Sequence, residues 1–487
     1  MKRMNRRSFL KSTAVAAGAL SWPVHSYSAI RGANDDVRVA IVGFHGQGSS
    51  DMEGFRKLPG VRVVALCDVD KHVLEAGARK FKDLNQPIET YTDVRKLLEN
   101  KDIDVVHTAT PNHWHALVAI WAIQAGKDVY VQKPVSHNVF EGRKIVEAAR
   151  KYKKIVQTGT QSRSSDGIKE AVEWVRAGNL GKILVSRGTC YKRRASIGKT
   201  SGPQPVPDYI DYDLWCGPAP LTPPRRNSKQ FGPIHYDWHW FWDYGCGDLG
   251  NQGIHQMDIA RWFLGENELS PRVFSLGGRF GYVDDGETPN TQIVYHDYKK
   301  APLIFEVRGL PEKTDSKAMD KYMGTTVGVL VHCEGGHVLI PDYNVAYAYD
   351  KEGKKIKEFR NTNKVSHYGN LIAAVRSRKP KDLRAEILEG HLSSALCHTG
   401  NISYRLGHQT SPDEAREKIK GNRDAVETFG RMCEHLKMND VDLESTKLTL
   451  GEFLKMKGKA EKFIGNDQAN KMLTRDYRKP FVVPEKV

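Results

Sequence analysis

Nowhere in the 487 residues do two cysteines form a CxxC pair, and the seven present, at positions 67, 190, 216, 246, 333, 397 and 433, are scattered and odd in number. This excludes a disulfide framework and a zinc ribbon, and buried thiols are expected instead. No apolar run approaches the roughly 20 residues of a membrane-spanning helix, so an integral membrane protein is excluded. Internal repeats and low-complexity linkers are also lacking, which removes solenoids and disordered arrays. Acidic residues are the minority: 58 Asp and Glu against 74 Lys and Arg leave a net charge of +16. Lys2, Arg3, Arg6, Arg7 and Lys11 crowd the start, and the remaining excess is spread along the chain with few interleaved aromatics. That distribution describes a basic surface, not a nucleic-acid footprint. At roughly 100–200 residues per domain, two to three domains are expected.

Asn5-Arg6-Arg7-Ser8-Phe9-Leu10-Lys11 places two adjacent arginines before a mild apolar run, Ala14 to Leu20, with small residues at Ser26 and Ser28. This is the pattern of a twin-arginine export signal over residues 1–29. It predicts a periplasmic protein delivered already folded by the twin-arginine machinery.

Residues 37–42 are a short β-branched run ending in Gly43-Phe44-His45-Gly46-Gln47-Gly48, and residues 49–58 predict a helix. Strand, glycine turn and helix make a dinucleotide-binding unit, because glycine lets the backbone turn tightly and approach a pyrophosphate at the helix N-terminus. His45 replaces the usual middle glycine of GxGxxG, so Gly46 is expected to supply the close approach. A second strand, 61–67, runs into Asp68, where a carboxylate accepts ribose hydroxyls and repels a 2′-phosphate; NAD is favoured over NADP. Further strands at 104–109, 128–131 and 155–158 alternate with helices at 94–99, 116–126 and 139–152. The class is α/β, with a doubly wound parallel sheet in residues 36–160 whose crevice faces Thr110, Pro111, Asn112 and His115 and the turn at Lys133.

The glycine loop with Asp68, Thr110-Pro111-Asn112-His113-Trp114-His115, Lys133-Pro134, Gln161-Ser162-Arg163, Gly178-Asn179-Leu180-Gly181 and Gly253-Ile254-His255-Gln256-Met257-Asp258 together resemble the Gfo/Idh/MocA family over residues 36–410. Trp215-Cys216-Gly217-Pro218-Ala219-Pro220 and Tyr477-Arg478-Lys479-Pro480-Phe481 are similar to its exported bacterial branch. The resemblance implies a second, α+β domain over 161–410, with an open, mainly antiparallel sheet covering the nicotinamide. It also implies a homo-oligomer paired through that sheet, and Lys133 and His255 as catalytic groups. Cofactor contacts are expected from Gly43, His45, Gly46, Gln47, Gly48, Asp68, Thr110, Pro111, Asn112, His115, Lys133 and Gln161. Substrate contacts are expected from Arg163, Trp238, His239, Trp240, Asn251 and His255. Two positions depart from the family: Gln132 stands in its usual Glu-Lys-Pro, and Asn251 replaces an aspartate four residues before the histidine. With both carboxylates gone, Lys133 should be pinned less firmly as a cation. Asp258 is either an orienting partner for His255 or an ordinary helix-face carboxylate.

Trp215, Trp238, Trp240, Trp242 and Trp262 are five of the nine tryptophans. Alternation at 238, 240 and 242 predicts a strand with aromatics on one face, suited to a pyranose ring or to a packed core. His235 and His239 have HxxxH spacing, but on a predicted strand, and no metal is expected. Residues 385–406 predict a helix whose His391, His398 and Asn401 are packing groups. Residues 411–487 are expected as a helical extension, with 412–437 a solvated charged helix, and a wrapping tail. The function implied is an NAD-dependent oxidoreductase with a tightly bound cofactor, acting on a secondary hydroxyl of a small carbohydrate. The alternatives are a glycoside hydrolase using transient oxidation and elimination, and a non-catalytic sugar- or nucleotide-binding protein.

Overall fold

The computed structural model describes residues 36–225 and 234–487. The expected export signal, 1–29, lies outside the described residues.

The strand β1 (Val37–Val42) is buried along nearly its whole length, as a central parallel strand flanked by helices on both faces must be. Beside it run β2 (Val61–Cys67), β3 (Glu89–Tyr91), β4 (Val105–Thr108), β5 (Asp128–Val131) and β6 (Val156–Thr158), in the order 3-2-1-4-5-6. Every pairing in this sheet is parallel. The connecting helices are α1 (Gln47–Arg56), α2 (Lys71–Asp83), α3 (Val94–Glu99), α4 (Asn112–Gln124) and α5 (Val139–Lys151). α4 is buried almost all round, because the chain's own tail covers its outer side: Phe481 packs edge-on to Trp114 at 5.4 Å.

The second domain opens with α6 (Asp166–Arg176) and β7 (Ile183–Tyr191). It continues through α7 (Tyr212–Cys216), α8 (Gly247–Asn251), α9 (Gly253–Leu264), β8 (Arg272–Gly278), β9 (Thr291–His296), β10 (Leu303–Arg308), β11 (Val327–Cys333), β12 (Gly336–Ile340), β13 (Val345–Asp350) and β14 (Lys355–Arg360). Then follow α10 (His367–Ser377), α11 (Ile387–Arg405), β15 (His408–Thr410), α12 (Pro412–Ile419), α13 (Arg423–Met438) and β16 (Leu448–Leu450). The sheet runs 14-13-12-11-7-10-9-8-16-15. Only β7 and β10 pair in parallel; the other neighbours are antiparallel. α9 and α11 fill one face with a continuous apolar core. α10 leaves this domain and packs Leu371, Ile372 and Val375 against β1 and α1, so a late segment completes the nucleotide-binding half.

The solvated helix expected at 412–437 is a correction. It is two helices, α12 and α13, and Ala425, Phe429, Met432 and Leu436 form an apolar stripe buried against Phe274, Leu276, Ile293 and Ile304 of the sheet. The spacing i, i+4, i+7, i+11 is that of one helical face, hidden among charges. Beside it Glu306, buried in the sheet, accepts from Arg431 of α13 at 2.6 Å. The chain's own helices therefore cover the sheet face over β8 to β10. Nor is the extension only helical, since β16 and the strand Leu454–Lys457 add to the sheet beside β8.

All seven cysteines are free, and all but Cys433 are buried. Among the described residues no helix is long and apolar enough to cross a membrane.

Candidate active site

A cleft of about 700 Å³ lies between the carboxyl ends of β1, β2, β4 and β5 and the second domain. At its nucleotide end the three glycines divide the work. Gly43 takes a left-handed turn, φ +73°, and a Cβ there would lie 2.8 Å from the Thr110 nitrogen. Gly48 seats α1 on that turn, since a Cβ would fall 2.0 Å from the Gly43 carbonyl oxygen. Gly46, which lines the cleft, has nothing within 4 Å of its Cβ direction and leaves room for a ligand. The N-terminus of α1 carries no side-chain cap and no acid in its first turn, which suits an anion. We predict that Gly48→Ala costs about 1–3 kcal/mol of stability by overpacking. Gly46→Ala should leave the melting temperature unchanged and weaken cofactor binding by calorimetry; equal behaviour of the two variants would contradict this division.

His45 and Gln47 line the same loop, and the His45 ring lies 4.2 Å from His235, whose Nε2 is 2.8 Å from Asp70. Asp68 accepts from the Phe44 N–H at 3.2 Å and the Asp70 N–H at 3.1 Å, and burial pushes its carboxyl up to about 6. Thr110, Pro111 and Asn112 form the opposite lip at the start of α4. His115 ties two loops together: Nδ1 lies 2.6 Å from the Pro134 carbonyl and Nε2 2.7 Å from that of Thr110. Gln161 closes the floor and donates to the Tyr130 hydroxyl at 3.3 Å.

At the other end, Lys133 Nζ donates to the backbone oxygen of Asn251 at 3.0 Å and to its Oδ1 at 3.2 Å. Burial brings this ammonium down to about 8, against the opposing pull of Asp248. His255, on α9, lines the same cleft; it is buried and its Nδ1 has no hydrogen-bond partner. Burial, and then the Lys133 charge, hold its imidazole well below the ordinary range, so it is neutral.

The model for the oxidoreductase family's NAD-binding Rossmann fold matches residues 37–160, and that for the family's C-terminal alpha/beta domain matches 164–438. The chain belongs to the Gfo/Idh/MocA oxidoreductase family. Among curated relatives, a glycosyl hydrolase family 109 protein of Shewanella sp. (strain W3-18-1) is 33% identical over 177 residues, 32% of this chain and 39% of that protein. One from Shewanella pealeana is 31% identical over 205 residues, 37% of this chain and 45% of that one. The match thus spans less than half the length of either. Among solved structures, the WlbA dehydrogenase of Bordetella pertussis, in complex with NADH and UDP-GlcNAcA, superposes with a TM-score of 0.53 at 17% identity, over 74% of this chain and 94% of that one. A levoglucosan dehydrogenase, in complex with NADH and levoglucosan, does so with a TM-score of 0.52 at 17% identity, over 74% and 95%. These two likenesses show the shared fold.

Within this Gfo/Idh/MocA frame several expectations need correction. The stretch 235–245 is not a strand: Asp237–Trp240 is a 3-10 turn, with the His239 N–H donating to the Tyr236 carbonyl at 3.2 Å. Alternation needs a neighbouring strand to be expressed, and among the described residues none pairs with this segment. Trp238 and His239 line the cleft, whereas Trp240 sits behind it, 5.5 Å from the Arg194 guanidinium. Arg163 lies outside the cleft. It donates to Asp258 at 2.7 and 2.9 Å and pairs with Glu389 at 2.9 Å, so it braces α9 against α11. Asp258 is consumed by that pair and by the Ser393 hydroxyl, and does not orient His255.

The carboxylates missing at 132 and 251 come from elsewhere. Gln132 Nε2 donates to Asp51 Oδ2 at 2.7 Å, while its Oε1 accepts the Lys133 N–H at 3.0 Å. Asp51, buried on α1, also takes Gln47 at 2.8 Å, Tyr368 at 2.6 Å and His107 at 2.7 Å. Asp248 stands three residues before Asn251, held by Arg194 at 2.8 and 2.7 Å. Sequence reasoning passed over Asp51, although an acid placed between Gly48 and Phe55 on the buried face of α1 was its signal.

Proposed function

We propose that this oxidoreductase is exported, keeps NAD bound, and oxidises or reduces a secondary hydroxyl of a sugar or glycoside by hydride transfer. Lys133 and His255, 122 positions apart in the chain, line one cleft whose far end is the glycine loop, and this convergence carries the proposal. The open space over Gly46, the uncapped start of α1 and the unpartnered Nδ1 of His255 fit a bound dinucleotide and substrate. Asp68 would take the ribose hydroxyls and disfavour a 2′-phosphate. When bound, the nicotinamide supplies the site for the hydride of the carbinol C–H. Lys133, when neutral, takes the hydroxyl proton and passes it to solvent; Asn251 holds Nζ in place through two oxygens. Neutral His255 offers its ring nitrogen to the substrate hydroxyl.

The oxidative rate should therefore rise with pH about a midpoint near 8, as Lys133 loses its proton, and the reductive rate should fall over the same interval. Profiles of kcat/KM in both directions check the sign. The decisive assay is extraction of nucleotide from the mature protein purified from periplasm, followed by reduction of the retained NAD by sugars. Protein that is empty and cannot be loaded would overturn the redox assignment.

The glycosyl hydrolase relatives favour a second reading. Oxidation beside the anomeric linkage acidifies the neighbouring C–H, the aglycone is eliminated, water adds and the ketone is reduced again, with no net redox change. Aryl glycosides without an acceptor separate the two: aglycone release at constant NAD supports hydrolysis, whereas accumulating NADH supports the dehydrogenase.

A further inference from the structure

The charges around the reaction end of the cleft are one-sided. Its lining carries Lys133, Lys192 and Arg194, while the lining carboxylates, Asp68, Asp70 and Asp93, all belong to the nucleotide end. Two counter-charges stand behind that lining, and both are engaged: Asp248 is held by both arms of the Arg194 guanidinium, and Asp51 is held by Gln132, His107 and Tyr368. Lys192 is left with an amide. Its Nζ donates to Gln252 Oε1 at 2.9 Å, and among the described residues no ion pair to it is found. Gln252 in turn donates to the Tyr343 hydroxyl at 2.8 Å, and the Tyr343 ring lies 5.2 Å from His255. Lys192, Gln252 and Tyr343 thus form a polar wall beside the catalytic pair.

A pocket built for a neutral sugar satisfies its hydroxyls with acceptors as well as donors, and carboxylates are the usual acceptors. Here that end supplies ammonium, guanidinium, phenol and amide groups. An anionic substituent would replace the Gln252 amide as the partner of Lys192 and relieve its repulsion with Lys133, whose proton affinity Lys192 and Arg194 already reduce, after burial.

We propose that the substrate is an acidic sugar, a free sugar or glycoside carrying a carboxylate or sulfate ester, with Lys192 as the residue that reads the negative charge. This rests on the sugar-oxidoreductase reading and narrows it. Lys192 is an exposed residue on the cleft wall, so a charge-assisted bond to its ammonium favours the acid over a neutral isostere by about 10-fold in affinity, the low end for a hydrogen bond to a charged group.

The test uses the NAD-loaded protein with D-glucuronate, D-galacturonate, their uncharged amides, and glucose 6-sulfate, followed by calorimetry and by NADH formation. The acids are expected to bind about 10-fold more tightly than the amides. Lys192→Gln should bring that ratio close to one, mainly through KM, while Lys192→Arg keeps it. Sulfate bound more tightly than the carboxylates names the ester as the natural anion. Equal affinity for acid and amide, or a ratio unchanged in Lys192→Gln, overturns the proposal. If acids bind selectively but no NADH forms, hydride transfer is what fails and the subsite stands. If amides and acids are oxidised alike, the converse holds.

Discussion

Lys133→Ala is expected to lower turnover by at least about 100-fold, the lower range for one acid–base group, while the protein still yields its full complement of NAD on extraction. The substitution removes the ammonium and leaves two oxygens of Asn251 facing a small void. The Asp248–Arg194 pair is untouched, so the fold and the glycine loop should survive. Lys133→Arg tests the role more sharply. Arginine keeps the positive charge but does not release its proton in the working pH range. If Lys133 trades a proton, Arg fails as Ala does; if it serves only as an electrostatic clamp, Arg recovers much of the rate. Turnover by Lys133→Ala within about 10-fold of the parent would remove it from the chemistry.

Asp51→Leu is expected to cost about 3–5 kcal/mol, the range for removing one partner of a buried charged network. Four donors, on Gln47, His107, Gln132 and Tyr368, converge on this carboxylate inside the nucleotide domain, and all would lose their acceptor together. Urea unfolding of the two proteins measures the loss. Burial alone would raise the Asp51 carboxyl, but the bonds from His107, Tyr368 and Gln132 outweigh it and leave it at about 2. Its folded value is thus depressed from 3.8, so its contribution is complete above about pH 4 and disappears as pH falls through about 2. Asp51→Asn should flatten that acid limb while costing less at neutral pH. Because Gln132 joins Asp51 to the Lys133 backbone, both variants should also slow turnover; unchanged kinetics in a folded Asp51→Asn would confine the network to stability.

Much of the nucleotide half was legible. β1, β2 and β5 begin and end where their apolar runs do, because a parallel strand buried on both faces is largely apolar and its glycine and acidic neighbours mark the ends. α2 and the short β3 were missed, the latter because an exposed edge strand carries no apolar run, and α4 starts at 112 instead of the expected 116. The second domain was legible only in outline. The aromatic alternation at 238–242 imitates a strand, yet strands exist only by pairing, and this segment closes locally into a turn instead. The burial of α12 and α13 was similarly masked, since composition weighs charges without saying which face they occupy.

From the chain order alone came the phosphate loop, the acid after the second strand and the α/β class, while Lys133 and His255 became candidates through the resemblance of their motifs to the family. These rest on stereochemistry and periodicity within a few residues, or on motifs short enough to read directly. Tertiary packing alone decided that Asp51 stands in for the carboxylate missing at 132, that Arg163 braces helices away from the cleft, and that Lys192, among the described residues, meets the Gln252 amide and no carboxylate. Each depends on groups tens to hundreds of positions apart being brought within hydrogen-bonding distance, and such an encounter leaves no local trace in either partner's neighbourhood of the sequence.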